Sequence, residues 1–372
     1  MKLLVIGAGA LGVHHALAAL DAGWEVVVCD RDRRPRSASV RNFGLVWCSG
    51  RVPGPGLDLA LEARRRWEKI GAAFPEIGFR PAGSLTLARR DDELAVLEEY
   101  VDHAPDRGLD ASLLTPSQIT ALNPAIAGDA IGAVLVRDDA VVEPRRTAPS
   151  LLDRIEDHPS ATVHRGCEIK EVQATSTGVR ATSMSLRIEA DVAVACPGAD
   201  HAGPFAELLA AEPLLDRCQL DMFETEPLAT PSTTAFADGD SLRYYPGFSE
   251  LPSAEQLAPP EAIVAEQRIQ LLVAPRLDGA LTVGDSHRYD EPFPFDTDER
   301  VTTHLLGRLE AVLGAPPPPI RSRWTGVYSR YRGDAPYLRL VPEPGIHVVT
   351  GVAGKGMTVS PAVAAETMEV LR

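Results

Sequence analysis

The stretch Leu3-Leu-Val-Ile-Gly7-Ala-Gly9-Ala-Leu-Gly12 decides the fold of this chain. Its apolar start predicts a buried strand, and the pattern of residues 16–22 predicts a helix after the glycines. A second apolar run, residues 25–29, ends at Asp30. In such a βαβ unit the glycines let a pyrophosphate approach the helix N-terminus, while the acidic residue accepts hydrogen bonds from a ribose. The sequence therefore predicts a dinucleotide site; the alternative interpretation is a glycine-rich turn without a ligand.

Two further segments extend this site. Small residues from Ser37 to Gly44 follow Asp30, where they can wrap a pyrophosphate, and Gly351–Met357 forms a second glycine-rich junction before a helix. The arginines at positions 31, 33, 34 and 36 would suit a 2′-phosphate, but the Asp30 carboxylate would repel one, which argues against NADP. The first motif alone does not separate NAD from FAD.

Composition excludes several classes of protein. The chain has 372 residues, 45% of them hydrophobic and 24% charged, which is the balance of a soluble globular protein. A net charge of −15 argues against a nucleic-acid surface. The five cysteines are scattered and never in C-x-x-C spacing, which favours reduced thiols in a cytoplasmic protein and predicts no metal site. Glycines interrupt the apolar N-terminus, which argues against a signal peptide, and no later run is long enough to span a membrane.

Patterns along the rest of the chain predict alternating helices and strands. The middle of the chain, residues 216–281, has short aromatic and β-branched runs between Pro, Gly and Asp, which predicts an antiparallel sheet. Tyr244-Tyr245 fits either the core of that sheet or a pocket wall. The predicted helices are 57–74, 91–103, 116–122, 144–157, 296–313 and one from Ser360 onward, and a final strand is predicted at 346–350.

The whole chain resembles the flavoprotein family of D-amino-acid oxidase, glycine oxidase and sarcosine oxidase. Four segments carry the resemblance, in order: the N-terminal motif ending at Asp30, the Ala38-Ser39 turn, the strand from Ala193 to Gly198, and the Gly351–Met357 loop. Four shorter segments resemble the branch encoded beside genes for 2-aminoethylphosphonate degradation: Ala38–Gly44, Tyr244-Tyr245, Gly284-Asp-Ser-His287 and Trp324–Tyr328. Ser37 departs from the family, which usually has Gly before Ala-Ser.

The resemblance implies an α/β fold of two domains, a Rossmann-like FAD-binding domain and a substrate domain with a mixed or antiparallel sheet. It places the FAD-binding domain at 1–78, 143–214 and 321–372, and the substrate domain at 79–142 and 215–320. The prolines at 316–319 then mark the return crossing.

The resemblance also implies a non-covalent FAD, because no cysteine lies in the segment 326–332 where sarcosine oxidases tether the flavin. The residues expected to contact FAD come from the motifs and from one strand at Val172. They are Gly7, Gly9, Ala10, Leu11, Gly12, Asp30, Arg31, Ala38, Ser39, Asn42, Phe43, Gly44, Val172, Gly198, Gly351, Gly354, Lys355, Gly356, Met357 and Thr358.

Six residues are candidates for the substrate site. His287 matches an active-site histidine of sarcosine oxidases within a residue, and a surface histidine is the other interpretation. Lys355 lies inside the flavin-side loop, and Arg41 follows the pyrophosphate turn, facing cofactor, substrate or solvent. Tyr328, Arg330 and Arg332 lie in the segment where glycine oxidases place a carboxylate-binding arginine. His14 and His15 lack acidic or cysteine neighbours in the sequence and are interpreted as structural.

The predicted reaction is FAD-dependent oxidation of the C–N bond of a small amine, with hydrolysis of the imine. The resemblance to the branch implies an anionic aminophosphonate as the substrate. Gly354 and Thr358 support this, because they stand where relatives carry carboxylate-binding residues. The electron acceptor is oxygen or another oxidant. Thr282 stands where sarcosine oxidases use a lysine in the reaction with oxygen, and its lack of charge predicts a slower reaction unless Lys355 substitutes. An oxidase is nevertheless favoured. The alternatives are an amino-acid or N-methyl amino-acid oxidase or dehydrogenase and a non-catalytic flavin-binding subunit.

Overall fold

Two large β-sheets organise the computed structural model, which describes residues 1–372. Nineteen strands form these two sheets and two smaller ones. The strands are β1 (Lys2–Ile6), β2 (Glu25–Asp30), β3 (Leu45–Val46), β4 (Ser84–Ala88), β5 (Ala111–Leu114), β6 (Gly132–Val136), β7 (Ala140–Val141), β8 (Ala161–Arg165), β9 (Glu171–Thr175), β10 (Gly178–Thr182), β11 (Arg187–Ala190), β12 (Val192–Ala195), β13 (Leu215–Thr225), β14 (Ala235–Ala237), β15 (Leu272–Pro275), β16 (Leu281–Gly284), β17 (Ile320–Tyr331), β18 (Leu338–Glu343) and β19 (Ile346–Thr350).

Eleven α-helices connect the strands. They are α1 (Ala10–Asp21), α2 (Pro55–Ala73), α3 (Asp91–His103), α4 (Pro116–Leu122), α5 (Pro144–Glu156), α6 (Ala206–Ala210), α7 (Ser241–Tyr244), α8 (Pro246–Ser249), α9 (Ala262–Gln267), α10 (Glu299–Leu313) and α11 (Gly356–Leu371). Short 3₁₀ turns occur at Ala38–Val40 and Ala353–Lys355, among other places.

The six-stranded sheet has the order β18-β19-β12-β1-β2-β8, and all its pairings are parallel except β18 with β19. Since the carboxyl ends of parallel strands meet at one sheet edge, the turns after β1, β12 and β19 lie side by side there. These turns contain Gly7, Gly198 and Gly351, each with positive φ. The predicted βαβ unit is confirmed, although α1 begins at Ala10 instead of residue 16.

The eight-stranded sheet has the order β17-β13-β16-β15-β14-β4-β6-β5. Its pairings are antiparallel except β14 with β4, so the predicted FAD domain with a mixed-sheet partner matches the architecture. One apolar core, with Phe223 and Phe236 fully buried, lies between this sheet and α10.

The predicted return crossing at 316–319 places β17 in the FAD-binding domain. β17 pairs along its length with β13, from Ile320 to Tyr331. A boundary at 321 would therefore separate this strand from its sheet. We propose that the chain returns to the FAD side after Tyr331.

Antiparallel pairing within residues 216–281 is confirmed, but the segment is not all sheet, and the start of the last helix at Ser360 was wrong. Residues 216–281 hold three helices besides their strands, and Tyr244 and Tyr245 lie where α7 meets α8, not in a strand. The last helix begins at Gly356, because the glycine-rich loop itself supplies the first turn.

The third sheet, β11-β10-β9, packs against the six-stranded sheet, and β10 was not predicted. Within the chain, no helix combines the length and the apolar character needed to cross a membrane. His14 and His15 are buried on α1, where each Nδ1 bonds a carbonyl one turn earlier, and His15 also contacts Thr367, which fits the structural interpretation.

Candidate active site

The β1–α1 turn depends on the absence of side chains. Gly7 has φ +101°, and a Cβ there would lie 2.5 Å from the carbonyl oxygen of Cys196. A Cβ on Gly12 would overlap the Gly7 carbonyl oxygen. Gly9, which precedes α1, has no side chain that could cap the helix. The Ala10 N–H donates to Ser39 Oγ at 2.8 Å. The turn therefore leaves the positive end of α1 free for an anion.

Asp30 closes one side of this turn. Its Oδ2 accepts from the Ala8 N–H at 2.6 Å, and its Oδ1 accepts from the Asp32 N–H at 2.7 Å. Burial raises the pKa of Asp30, and these two bonds oppose that shift. Arg31 turns away and pairs with Asp200.

The segment from Ala38 to Gly44 is held by its own polar groups. Asn42 donates to the Ala38 carbonyl at 2.8 Å and accepts from the Gly44 N–H at 2.7 Å. Gly44 has φ +71°, and a Cβ there would overlap the Val142 carbonyl oxygen. Phe43 is buried beside Tyr328 in the same apolar cluster. This segment thus joins the cofactor side to the substrate side.

The C-terminal loop forms a second helix start at the same sheet edge. Gly351 accepts from the Tyr331 N–H at 2.9 Å, and α11 begins at Gly356 without a side-chain cap. The indole Nε1 of Trp67 donates to the carbonyls of Met357 and Thr358 at 3.1 and 3.0 Å. Other predicted contacts lie around these two starts: Leu11 in α1, Gly198 bonded to Thr350, and Gly354 beside Tyr328. Val172 is the exception, since it lies on β9 in the three-stranded sheet.

Four tyrosines, Tyr244, Tyr245, Tyr289 and Tyr328, form a group that we call the tyrosine cluster. The ring centroids of Tyr244 and Tyr245 are 5.2 Å apart, and Tyr244 stacks on His287 at 4.4 Å. Burial raises the pKa of Tyr244 well above its usual value, although 36% of its surface is accessible. A side chain that is both surrounded by protein and accessible lines a concave space.

Lys355 shows the same combination of an accessible surface and surrounding protein. It is exposed by area, yet the surrounding protein lowers its pKa from 10.5 to about 8, with a smaller contribution from Arg51. No carboxylate lies within ion-pair distance of its ammonium group. A Cβ on Gly354 would lie 3.6 Å from the Tyr328 ring, so the loop that carries Lys355 rests against the tyrosine cluster.

His287 is buried behind Tyr244. Its Nδ1 bonds the Arg268 carbonyl at 2.9 Å, and its Nε2 lies 3.7 Å from Oδ2 of Asp285. The bond from Nδ1 to this carbonyl orients the ring so that its Nε2 faces the Asp285 carboxyl, at a distance longer than a hydrogen bond. Burial raises the pKa of Asp285, and its Oδ1 has no hydrogen-bond partner.

The three predicted arginines lie in different surroundings. Arg330 forms two bonds with Asp216, at 2.9 and 2.6 Å, while its guanidinium lies 3.9 Å from the ring centroid of Tyr289. Arg332 pairs with the same aspartate on the exposed side of β17. Arg41 donates to the Thr325 carbonyl at 3.2 Å. Only Arg330 touches the tyrosine cluster.

Sequence reasoning missed Cys218, Tyr289 and Asp285. Cys218 lies opposite Tyr328 in the β13–β17 ladder, where burial raises the pKa of its thiol to about 11. Only a correct strand register would have revealed that neighbour. Asp285 stands next to the predicted His287 in sequence, and its position at the end of a buried strand was the available signal.

The donor set fits FAD. The helices α1 and α11 begin beside each other without side-chain caps, and the Asp30 carboxylate lies where a βαβ unit binds a ribose. The buried Nε1 of Trp47 has no hydrogen-bond partner, although the backbone N–H of Trp47 donates to the first turn of α11. The family model described as FAD dependent oxidoreductase (DAO) matches residues 2–370. The chain belongs to this family.

This FAD-dependent oxidoreductase is similar to subunits of two curated enzymes. It is 26% identical over 214 residues to one subunit of the anaerobic glycerol-3-phosphate dehydrogenase of Escherichia coli (strain K12), covering 55% of this chain and 39% of that protein. It is 26% identical over 150 residues to one subunit of the opine oxidase of Rhizobium meliloti, covering 37% of this chain and 40% of that protein. The chain thus spans about two fifths of the length of these relatives.

Solved structures share the fold over the whole chain. Glycine oxidase from Geobacillus kaustophilus superposes with a TM-score of 0.79 at 17% identity, covering 100% of this chain and 94% of that one. Iminodiacetate oxidase from Chelativorans sp. BNC1 has a TM-score of 0.77 at 18% identity, with coverage of 99% and 95%. A dithionite-reduced L-alpha-glycerophosphate oxidase from Mycoplasma pneumoniae, solved with FAD bound, has a TM-score of 0.74 at 14% identity, with coverage of 100% and 94%.

Proposed function

We propose that this protein oxidises the C–N bond of a small amine that carries a phosphono group, and that the imine product is hydrolysed by water. N-methyl-2-aminoethylphosphonate is the first candidate and 2-aminoethylphosphonate the second. The observation that carries the proposal is Lys355: it is an unpaired cation in the flavin-side loop, and Gly354 of that loop rests against Tyr328 of the tyrosine cluster.

The chain's own groups hold the cofactor non-covalently. The N-termini of α1 and α11 would receive negatively charged parts of FAD, and Asp30 would accept from a ribose hydroxyl. When bound, FAD supplies the acceptor for a hydride from the carbon next to the amine nitrogen.

The surroundings of the tyrosine cluster favour the neutral form of a bound amine. An amine gives up hydride only in its neutral form, and the same exclusion of water that lowers the pKa of Lys355 would lower that of a bound ammonium. His287 stacks on Tyr244, and its Nε2 lies 3.7 Å from Oδ2 of Asp285. We propose that this pair accepts the proton that the ammonium loses.

Two observations and one chemical property support a phosphonate over a carboxylate. Gly354 and Thr358 stand where carboxylate-binding residues are expected in relatives, and the Thr358 hydroxyl is used to bond Trp47 N–H at 2.9 Å. Two similar proteins are named for glycerol phosphates, so a phosphate-like group at the substrate has a precedent in proteins of this fold. A phosphonate offers three oxygens and up to two charges to cationic donors.

The alternatives make different predictions. An amino-acid or N-methyl amino-acid oxidase would act on carboxylate substrates, as the names of glycine oxidase and iminodiacetate oxidase indicate for those proteins. A non-catalytic subunit would bind flavin without reacting, and the similarity to one component of an opine oxidase keeps that option in the test. The electron acceptor, oxygen or another oxidant, belongs to the proposal as well, and we favour oxygen.

An anaerobic screen tests the proposal. The holoenzyme is mixed with aminophosphonates, amino acids and N-methyl amino acids, the flavin absorbance is followed, and the carbonyl product is trapped with a hydrazine reagent. We expect rapid bleaching and a trapped aldehyde only with aminophosphonates. Bleaching by an amino acid at equal or greater efficiency contradicts the phosphonate assignment, and no bleaching by any amine supports the non-catalytic role. Air is then admitted, since reoxidation over many minutes would indicate a dehydrogenase.

A further inference from the structure

Arg51 is a buried cation without a carboxylate partner. Only 8% of its surface is exposed, and its single hydrogen bond runs from Nε to the Trp47 carbonyl at 3.1 Å. The two other buried arginines are both paired: Arg64 with Glu68 at 2.9 Å, and Arg276 with Glu143 at 3.8 Å. Arginine stays charged in proteins, so a buried guanidinium with two free nitrogens calls for an anion.

The loop that carries Arg51 is fixed by close backbone contacts. Gly50 has φ +67°, and a Cβ there would lie 2.7 Å from Cβ of Tyr245. A Cβ on Gly247 would lie 2.7 Å from the Arg51 carbonyl oxygen, and the Gly247 N–H donates to the Gly50 carbonyl at 2.8 Å. Because neither glycine has a Cβ, this loop packs closely against α8, beside the tyrosine cluster.

A buried carboxylate fixes the same loop from the other side. Asp139 accepts from the Ser49 N–H at 3.2 Å and from the Ser84 hydroxyl at 2.6 Å. It forms no ion pair with Arg51, although it is close enough to favour the charged guanidinium. The position of Arg51 is therefore determined before any ligand binds, while its terminal nitrogens keep their donors.

Lys355 is close enough to Arg51 for the charge of Arg51 to act on it. The Trp47 carbonyl holds Arg51, and the Trp47 N–H donates to Thr358 Oγ1 at 2.9 Å in the first turn of α11, which Lys355 directly precedes. The loop of Arg51 meets Tyr245 at Gly50, and the loop of Lys355 meets Tyr328 at Gly354. Two unpaired cations therefore flank one end of the tyrosine cluster.

We propose that Arg51 and Lys355 together bind the acid group of the substrate and that Arg51 sets the preference for a tetrahedral, multiply charged anion. The planar guanidinium presents two parallel N–H donors to two oxygens, and the ammonium reaches the third. This inference rests on the proposed function only in assuming that the substrate is anionic.

Binding of unreactive anions to the holoenzyme tests this site without turnover. Methylphosphonate, inorganic phosphate and acetate are titrated by calorimetry and by the difference spectrum of the bound flavin. The variants are Arg51→Met and Arg51→Lys, with Arg64→Met as the control for loss of a buried arginine. We expect the Kd of methylphosphonate to rise roughly 30-fold or more in Arg51→Met and about tenfold in Arg51→Lys, which keeps the charge and loses the fork. Acetate should bind more weakly than methylphosphonate to the unmodified protein, and Arg64→Met should leave all three affinities within about threefold.

Three results would overturn the proposal. The first is unchanged methylphosphonate binding in Arg51→Met, and the second is an equal loss of affinity in Arg64→Met. The third is loss of both FAD and anion binding in the two Arg51 variants, which would make Arg51 a cofactor-binding residue. Its failure is separable from failure of the proposed function. Methylphosphonate bound through Arg51 by a protein that no aminophosphonate reduces would refute the reaction and keep the anion site. Aminophosphonate turnover with an unchanged KM in Arg51→Lys would refute the anion site and keep the proposed reaction.

Discussion

The two sides of the candidate active site are built from different parts of the chain. On the cofactor side, the six-stranded sheet presents backbone: glycine turns after β1 and β19, and the uncapped starts of two helices. On the substrate side, the eight-stranded sheet and its short helices present side chains, namely the tyrosine cluster with His287 and Asp285. The first side is one edge of one sheet, whereas the second is assembled from distant segments.

This difference determines how each side responds to substitution. A backbone-built site fails when a side chain intrudes, since the Cβ itself fills the space. A site built from side chains keeps its shape when one group is exchanged and loses mainly the affinity that this group supplied. The predictions below test this division.

The largest effect is expected for Gly12→Ala. The new Cβ would overlap the Gly7 carbonyl oxygen, so α1 must move away from β1. We expect the protein to purify without colour, with FAD affinity reduced on the order of 100-fold or more and with a stability loss of about 1–3 kcal/mol. Fluorescence titration with FAD and thermal unfolding measure the two quantities.

The matched control is Gly307→Ala. Gly307 lies inside α10, where a Cβ meets nothing within 4 Å. This variant should bind FAD normally and gain roughly 0.5–1 kcal/mol of stability. Normal FAD binding by Gly12→Ala would show that the turn does not hold the cofactor.

Lys355→Met should separate the two sides. Removing one charged contact to a bound anion is expected to lower kcat/KM by roughly 30- to 1,000-fold, at a cost on the order of 2–4 kcal/mol in transition-state binding. The protein should remain yellow, because the backbone N–H groups of the loop are retained. Steady-state kinetics and the flavin content of the purified variant check both statements, and a colourless Lys355→Met would contradict the division.

The charge of Lys355 also predicts a pH dependence. Because its pKa is lowered to about 8, the ammonium is charged below that pH and neutral above it. Binding of methanesulfonate, whose own charge is constant in this range, should therefore weaken as pH rises through about 8. In Lys355→Arg the weakening should shift to higher pH, since arginine does not deprotonate. The same midpoint in both proteins would rule out Lys355 as the titrating group.

Arg330→Gln and Arg332→Gln should have smaller effects on catalysis. Both arginines pair with Asp216, and their side chains are 28% and 46% exposed, so solvent weakens these ion pairs. We expect Arg330→Gln to cost about 1 kcal/mol of stability and Arg332→Gln less, with KM changed by less than about threefold in each. A rise in KM above tenfold in Arg332→Gln would place an arginine on the outer side of β17 in the substrate site.

The smallest effect concerns Cys218. Its buried thiol has a pKa raised to about 11 and is thus not a thiolate at neutral pH, so we expect no bond to the flavin despite its position opposite Tyr328. Acid precipitation should release all yellow colour into the supernatant, from the unmodified protein and from Cys218→Ser alike. Yellow colour in the pellet of the unmodified protein alone would mean a covalent tether.

On the cofactor side, the βαβ unit was predicted correctly because its parts are contiguous in sequence. Gly7 and Asp30 lie in one βαβ unit, so spacing along the chain carries the geometry. The strand at 346–350 was predicted with its observed bounds for the same reason.

The substrate side depends on tertiary structure. The loop that carries Arg51 meets the tyrosine cluster at Tyr245 only because Gly50 and Gly247 allow two distant segments to touch. The pairing of Arg330 with Asp216 depends on the register of β13 and β17, which no local pattern reveals. Charges that look alike in sequence are therefore separated by the fold into paired and unpaired ones.

Single-turnover reduction of the flavin by a matched pair of amines tests the central claim most directly. N-methyl-2-aminoethylphosphonate and N-methyl-β-alanine differ in the acid group and share the reacting amine. Mixed anaerobically with the holoenzyme, each gives a limiting rate of reduction and an apparent Kd from the loss of flavin absorbance. We predict that the phosphonate reduces the flavin with the higher ratio of rate to Kd, by at least about tenfold, and that most of the difference lies in Kd. An equal or higher ratio for the carboxylate would contradict the account.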